Sequence, residues 1–389
     1  MREVGKEQMR RRFLWQSAAI LSALAATPLA NAATPTTRSP FPDVTPRRLD
    51  FPRDHGAHPA FRTEWWYLTA WLQRGPDTPP MGFQYTFFRS RTHHAEDNPS
   101  RFAPRQLLFA HAALALPEQG RLLHDDRVAR VGPAGVAFST ETTDLQLDGW
   151  RFVLEDGNRY WGSARTKDVT LSFTATAPAP PLLRGRGGVS AKGPAPHLAS
   201  YYYSRTHLPL VLTCQPTAAA KESSGPGALW AGRAEGLAWI DHEWSSSLLA
   251  TDAVGWDWIG IHLLNGGSLM AFRIRSRDQQ PLWQVWEMHD AQGRLQPVAR
   301  SSAGRPAVRW QVTQTWESAR SGGRYPVAFE ITLGNRRFEI APLMVDQEVD
   351  ARASTGGFYW EGAVSLMESG TLIGRGYLEL TGYAQPLQL

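Results

Sequence analysis

The chain has one cysteine in 389 residues, Cys214. No intrachain disulfide can form, and a protein of this size can rely on its hydrophobic core without one. No histidine or helix terminus beside Cys214 would lower its pKa, so it reads as a core residue rather than a catalytic thiol. After residue 32 no apolar run reaches the ~20 residues that a membrane-spanning helix needs. There is no Lys/Arg cluster of the kind that makes a nucleic-acid face. Five of the 41 Lys/Arg and two of the 36 Asp/Glu lie in residues 1–32, and the rest of the chain carries a net charge of only +2. A Gly-x-Ser-x-Gly nucleophile elbow is also missing. Its nearest imitation, Gly188-Val189-Ser190-Ala191-Lys192, falls in a Pro/Gly-rich stretch and gives no positive sign of a serine hydrolase. Nor is there a long helical periodicity.

Aromatic residues are abundant instead: 16 Trp, 16 Phe and 10 Tyr. That many indoles suit both a packed core and a large apolar site with polar handles. Segments 82–89, 169–177, 200–206, 254–264 and 269–275 are rich in aromatic and β-branched residues and read as strands. Asn265-Gly266-Gly267, Gly334-Asn335 and Glu368-Ser369-Gly370 each separate two such runs and predict hairpins. The expected fold is all-β, with two antiparallel barrels packed together. Residues 1–32 read as an export signal. Arg10-Arg11-Arg12-Phe13-Leu14 precedes an apolar run over residues 17–29, and Ala30-Asn31-Ala32 fits a cleavage site. The Arg-Arg-x-Phe-Leu order is of the twin-arginine type and places the mature protein in the periplasm or outside the cell. Residues 33–50 read as a linker, 51–235 as a first domain and 236–389 as a second. Stretches 178–196 and 215–227, rich in Pro, Gly, Ala and Ser, read as exposed loops. Arg184, Arg186 and Lys192 are then expected to be solvated, with an anionic head group as the alternative partner.

One stretch organises the rest: Asp54-His55-Gly56-Ala57-His58-Pro59, then Arg62-Thr63-Glu64-Trp65-Trp66-Tyr67. Later blocks share its character. They are Phe87-Phe88-Arg89, Tyr201-Tyr202-Tyr203-Ser204, Asp241-His242-Glu243-Trp244, Gly255-Trp256-Asp257-Trp258, Tyr359-Trp360-Glu361-Gly362 and Gly376-Tyr377-Leu378-Glu379. In this order the blocks resemble the family that contains AttH-type secreted proteins and the carotenoid 1,2-hydratases (hydroxyneurosporene synthases). The resemblance covers nearly all of the chain after residue 50. It implies two lipocalin-like domains, and for AttH-type proteins a role beside an ABC-type membrane permease. For the hydratases it implies addition of water to an isoprenoid double bond.

Strand alternation puts Arg62, Glu64, Trp66, Leu68 and Leu72 on one face, and Thr63, Trp65, Tyr67, Thr69 and Trp71 on the other. A carboxylate beside indoles must be paired, protonated or used. For Glu64 the pairing reading comes first, with Arg62 or Arg89 as partner. Hydrating an alkene needs a protonated acid, water and a wall that tolerates a carbocation, and indole faces supply the wall. The candidate acids are Asp257, Asp241 and Glu64. Asp257 faces away from Trp256 and Trp258 in a regular strand, so its aromatic wall must come from neighbouring strands. Trp65, Trp66, Tyr67, Tyr202, His242, Trp244, Trp256 and Trp258 are the expected ligand-binding residues. His55-x-x-His58 and Asp241-His242-Glu243 form no closed metal-ligand set, and neither metal nor cofactor is expected. The ranking is an exported carrier of an apolar lipid or isoprenoid first, a carotenoid 1,2-hydratase-like enzyme second, and a scaffold with purely structural tryptophans third. Export weighs against carotenoid hydration, whose substrates lie in the membrane.

Overall fold

A computed structural model describes residues 41–387 apart from residues 95, 101, 133, 224–230 and 299–307. The expected export signal and its cleavage site lie outside the described residues. Among the described residues, apart from one short helix, Ala218–Ser223, and two single 3-10 turns, the regular structure is strand. Every ladder is antiparallel.

The first sheet runs in the order Arg121–Arg130, Gln106–Leu116, Met81–Arg91, Thr63–Gln73, Gly232–Ser247, Ala199–Pro216, Val169–Thr176, Arg159–Arg165, Trp150–Glu155, Asp144–Leu147, Val136–Phe138. It curls into a nearly closed barrel. The second sheet, a half-barrel, runs Pro281–His289, Ser268–Ser276, Ala253–Leu263, Thr371–Leu380, Gly357–Glu368, Arg336–Pro342, Arg324–Leu333, Val308–Glu317. The expected all-β, two-barrel architecture is therefore present. All three predicted hairpins form, because the Gly-containing connections leave their flanking strands paired directly.

Alternation sorts the side chains into three layers. Trp66, Leu68, Ala70 and Leu72 point into the first barrel, where Phe83, Tyr85, Phe87, Trp150, Phe152 and Phe173 meet them. Ile259, Ile261, Trp286, Phe329, Trp360 and Leu378 fill the second. The outer faces of both sheets meet in a third layer, the seam, built from Tyr67, Tyr202, Trp239, Trp258, Met270, Phe272, Ile274, Ala363 and Tyr377. Each large side chain sealed in these layers contributes on the order of 2 kcal/mol. Gly82 fits the seam for a physical reason. A Cβ there would lie 2.4 Å from the Tyr377 hydroxyl, so glycine lets that tyrosine cross from one barrel to the other.

Several expectations are revised. The boundary at residues 235/236 falls inside Gly232–Ser247, a strand that pairs along its length with Thr63–Gln73, so the sheet changes only between Ser247 and Ala253. The Asp241-His242-Glu243-Trp244 block thus does not open the second barrel; it lies beside the first block, with Trp66 opposite His242 and Glu64 opposite Trp244. The described part of the linker is packed: Val44 and Leu49 are buried against Tyr201, Tyr203 and Trp244. Arg184 and Lys192 are not solvated loop charges either, since both are buried and ion-paired, while Arg186 is exposed. Within 215–227, the stretch Ala218–Ser223 is helical.

Candidate functional site

The first polar centre closes one end of the first barrel. The turn at Asp54-His55-Gly56 plugs this end, where Ala57 N–H donates to the Ser139 carbonyl and Thr143 Oγ1 to the His55 carbonyl. A Cβ on Gly56 would lie 2.4 Å from the Thr140 backbone, so only glycine allows this approach. The plug brings Asp54, His55 and His58 over the inward-facing Glu64. The Glu64 carboxylate accepts from His58 N–H at 2.8 Å, His58 Nδ1 at 2.8 Å, Arg89 Nε at 2.9 Å and His242 Nε2 at 2.9 Å. Burial alone would raise its pKa, but His58, Arg89 and His242 together hold it well below the usual range. Both ring nitrogens of His58 face carboxylate oxygens, Glu64 on one side and Asp54 at 3.1 Å on the other. The ring is therefore a double donor. Burial opposes its charge, yet the two carboxylates raise its pKa. A second line of hydrogen bonds runs from His55 Nδ1 to the Tyr203 hydroxyl (2.7 Å) and on to His242 Nδ1 (3.0 Å). Burial pushes His55 down to about 3 and lowers His242, so both rings are neutral.

His58, Glu64 and His242 are the group among the described residues whose donor atoms could hold a metal, all within 4.8 Å of one another. The surroundings fit an ion-pair network better. Arg89 already sits against Glu64, and Arg47 lies 2.6 Å from Asp54, so an added cation would face two guanidinium groups. Arg89, not Arg62, is the partner of Glu64 on its own barrel face.

Asp257 occupies an equivalent place in the second barrel. It faces inward, away from Trp256 and Trp258, as strand alternation requires. Its oxygens accept from Arg273 Nε at 2.5 Å, Arg275 Nε at 2.9 Å and the Tyr383 hydroxyl at 3.0 Å. Two of these partners are guanidinium groups, which only donate, so the carboxyl acts here as an acceptor between buried cations.

The seam has a different chemistry. On the first barrel Thr86, Tyr67, Asp241 and Ser204 form one row; on the second Glu361, Glu379, Trp258 and Phe272 form another. Asp241 accepts from the Tyr202 hydroxyl (2.6 Å), Ser204 Oγ (2.5 Å) and Trp239 Nε1 (2.7 Å). Burial nevertheless raises its pKa to about 6. Glu361 and Glu379 are paired directly across their hairpin. Burial, then the neighbouring Glu379, pushes Glu361 well above the usual range, and Glu379 is pushed up to about 7, burial again being the main cause. Cations flank the seam: Arg375 lies over the Trp71 ring at 5.4 Å. Lys192 Nζ lies 2.7 Å from Glu243, and Arg184 bonds Ser204 Oγ at 2.7 Å and Glu287 at 3.3 Å. Next to the seam, an open cavity of about 440 Å³ is lined by residues that include Arg62, Thr63, His197, Leu248, Leu249 and Ala253. Leu249 and Ala253 also pack on the seam cluster, which places the cavity at its mouth.

Apart from Asp257 in the second barrel, the expected site residues divide between two places. Glu64, Trp66, His242 and Trp244 belong to the barrel end; Trp65, Tyr67, Tyr202, Asp241, Trp256 and Trp258 belong to the seam. Glu361 and Glu379 were not among the sequence candidates, and Arg184 and Lys192 were expected as solvated charges, with an anionic head group as the alternative partner. The Tyr359-Trp360-Glu361-Gly362 block was visible, but only the hairpin register sets its acid against Glu379.

A pH prediction follows for the seam acids. Asp241 and Glu379 have folded pKa values above their unfolded values of about 4. Their contribution to stability is fully present below pH ~4 and is lost as pH rises through 6 to 7. Urea midpoints should therefore fall less steeply between pH 5.5 and 8 in Glu379→Gln than in the parent chain. Parallel slopes in the two proteins would refute the assignment.

With this geometry in hand, the comparisons are informative. The AttH-like family profile matches residues 42–383. The chain belongs to the AttH-like family. The crystal structure of an AttH from Nitrosomonas europaea is 42% identical in sequence, superposes with a TM-score of 0.78, and aligns over 88% of this chain and 99% of its own. Kievitone hydratase from Nectria haematococca is 13% identical, with a TM-score of 0.61 over 89% of this chain and 98% of its own; it shares the fold. No curated protein matches the sequence.

Proposed function

We propose that this AttH-like chain is an exported binding protein for an apolar lipid or isoprenoid, held along the seam between its barrels. The observation that carries the reading is the position of the cavity. Its volume of about 440 Å³ suits a small ligand, and it opens beside the aromatic seam. The lumen of the first barrel, by contrast, is filled by its own aromatic side chains. The lining of the cavity includes no carboxylate, which favours capture over chemistry at the mouth. In this reading ligand is passed to an ABC-type permease at the membrane surface after twin-arginine export.

A second reading draws on the acids deeper in the seam. Asp241 and Glu379 have pKa values shifted towards neutrality and lie among Trp239, Trp256 and Trp258. Such an acid could protonate an isoprenoid C=C bond. Water would then add to the cation, and the proton released would return to the carboxylate. This is hydration of the kind implied by the carotenoid 1,2-hydratase resemblance.

Titration of the purified mature chain with isoprenoid alkenes, followed by mass spectrometry, separates the readings. Saturable quenching of tryptophan fluorescence with unchanged ligand is expected. Ala250→Trp, which projects into the cavity wall, should weaken affinity by about tenfold or more. A water adduct formed with turnover would replace the carrier by the hydratase. Undiminished affinity in Ala250→Trp would remove the seam as the site.

A further inference from the structure

The seam contains polar atoms that its own architecture leaves unserved. Tyr67 is 6% exposed and Glu361 3%, and both carry a buried oxygen without a hydrogen-bond partner among the described residues. Gln84 Oε1 is a third such atom. The three belong to one chain of neighbours. Tyr67 and Tyr359 both come within hydrogen-bonding reach of the Glu361 carboxyl and Gln84 within reach of Tyr359, but the Tyr67 hydroxyl, Glu361 Oε1 and Gln84 Oε1 complete no bond of good geometry. Tyr359 itself is engaged, bonding His111 Nδ1 at 2.7 Å, and His111 Nε2 bonds Ser354 Oγ at 2.9 Å. Buried polar groups are almost always satisfied, so three together without partners mark a place where an additional oxygen belongs. Aromatic rings flank them: Trp258 packs edge-on against Tyr67 at 5.4 Å, and Tyr377 belongs to the same layer.

Their position relative to the cavity sets a length. Thr63 lines the cavity, and Thr63, Trp65 and Tyr67 follow one another on the same face of one strand. Four residues of strand span about 13–14 Å. Trp65 and Trp256 are only partly buried and stand between the mouth and the polar end.

We infer that Tyr67, Gln84 and Glu361 form the polar end of the ligand site, and that they take the oxygen of a neutral, otherwise apolar molecule about 14 Å long, such as an alcohol or ketone. This rests on the seam reading above and narrows its ligand class. The Tyr67 hydroxyl donates, Gln84 Oε1 accepts, and the Glu361 carboxyl does either, so a hydroxyl or a carbonyl is served. Carboxylate and phosphate ligands are disfavoured, because the nearest charges, Glu361, Glu379, Asp241 and Glu243, are acidic. Lys192 and Arg184 are already committed to Glu243 and Glu287, and Arg375 lies over the Trp71 ring.

Three C15 probes of nearly equal shape test this by tryptophan quenching: farnesol, the hydrocarbon farnesene, and farnesoate. The parent chain should bind farnesol about tenfold more tightly than farnesene, with farnesoate weakest. Tyr67→Phe removes a hydroxyl whose neighbour, Glu361, it meets outside good hydrogen-bond geometry, so its thermal midpoint should change little. It should lose most of the preference for farnesol and leave farnesene affinity unchanged. Glu361→Gln, which keeps both donor and acceptor, should retain the preference for farnesol over farnesene while binding farnesoate more tightly. Equal affinity of the parent chain for farnesol and farnesene would overturn the inference while leaving the seam as an apolar site. So would a Tyr67→Phe variant that weakens both equally. Failure of all three probes to bind would overturn it together with the seam reading.

Discussion

Glu64→Ala is expected to cost the folded chain about 3–5 kcal/mol, the range for breaking one side of a buried ion pair. The carboxylate is completely sealed and collects four donors from three separate elements. Removing it leaves the Arg89 Nε, the His58 ring and the His242 ring facing a cavity. Arg89 keeps its bonds to Gln106 and to the His58 and Phe61 carbonyls, so its charge stays fixed in place without its counter-ion. Guanidinium denaturation followed by tryptophan fluorescence measures the loss. The decisive comparison is a double-mutant cycle with Arg89→Met. If the pair acts as a unit, the double variant should be more stable than the sum of the two single losses predicts, by about 1 kcal/mol or more. Strict additivity would mean that Glu64 and Arg89 contribute separately, and that the barrel end is held by the histidines.

The same network shows what was readable in the sequence and what was not. Strand alternation placed Glu64 and Trp66 together and set Trp65 and Tyr67 opposite, and the ladders reproduce both faces. The Glu64–Arg89 pair was a named alternative because both residues flank aromatic runs, and adjacent antiparallel strands put them opposite one another. Hairpins were legible because their Gly-rich connections carry a local signal. The domain boundary was not, since Gly232–Ser247 resembles the start of a new barrel in composition and joins the first sheet by long-range pairing. Composition also misplaced Arg184 and Lys192. A Pro/Gly-rich stretch ordinarily lies in solvent, but here two very short strands, Leu182–Leu183 and Val189–Ala191, pin it to Ala199–Pro216. The cations then turn inward to Glu287 and Glu243. Glu361 and Glu379 were missed for a related reason: eighteen positions separate them in sequence, and hairpin register alone makes them neighbours.

Asp257→Asn should behave as a lesion of stability, with a loss of about 3–5 kcal/mol and little change in affinity for a seam ligand. An amide keeps the size of the side chain but presents an N–H₂ group to a ring of donors. Arg273 and Arg275 would then be buried with no anion between them, and the one remaining carbonyl oxygen would have to serve both guanidinium groups and the Tyr383 hydroxyl. Arg273 also stacks over Trp310 and Phe329, and Arg275 over Tyr383 at 3.8 Å, so neither guanidinium can swing out to solvent without opening the half-barrel core. A catalytic Asp257 would give the opposite pattern: a fold of normal stability, intact binding and turnover reduced by about 10²–10⁴-fold. Thermal melts and fluorescence titration, both run on Asp257→Asn, therefore decide between the two roles. A second variant guards against outright unfolding. Asp257→Asn combined with Arg275→Met removes one of the stranded cations and should recover part of the lost stability. If it does while seam affinity stays at the parental level, Asp257 serves the second barrel's core, and any proton that reaches the ligand comes from the seam acids Asp241 and Glu379.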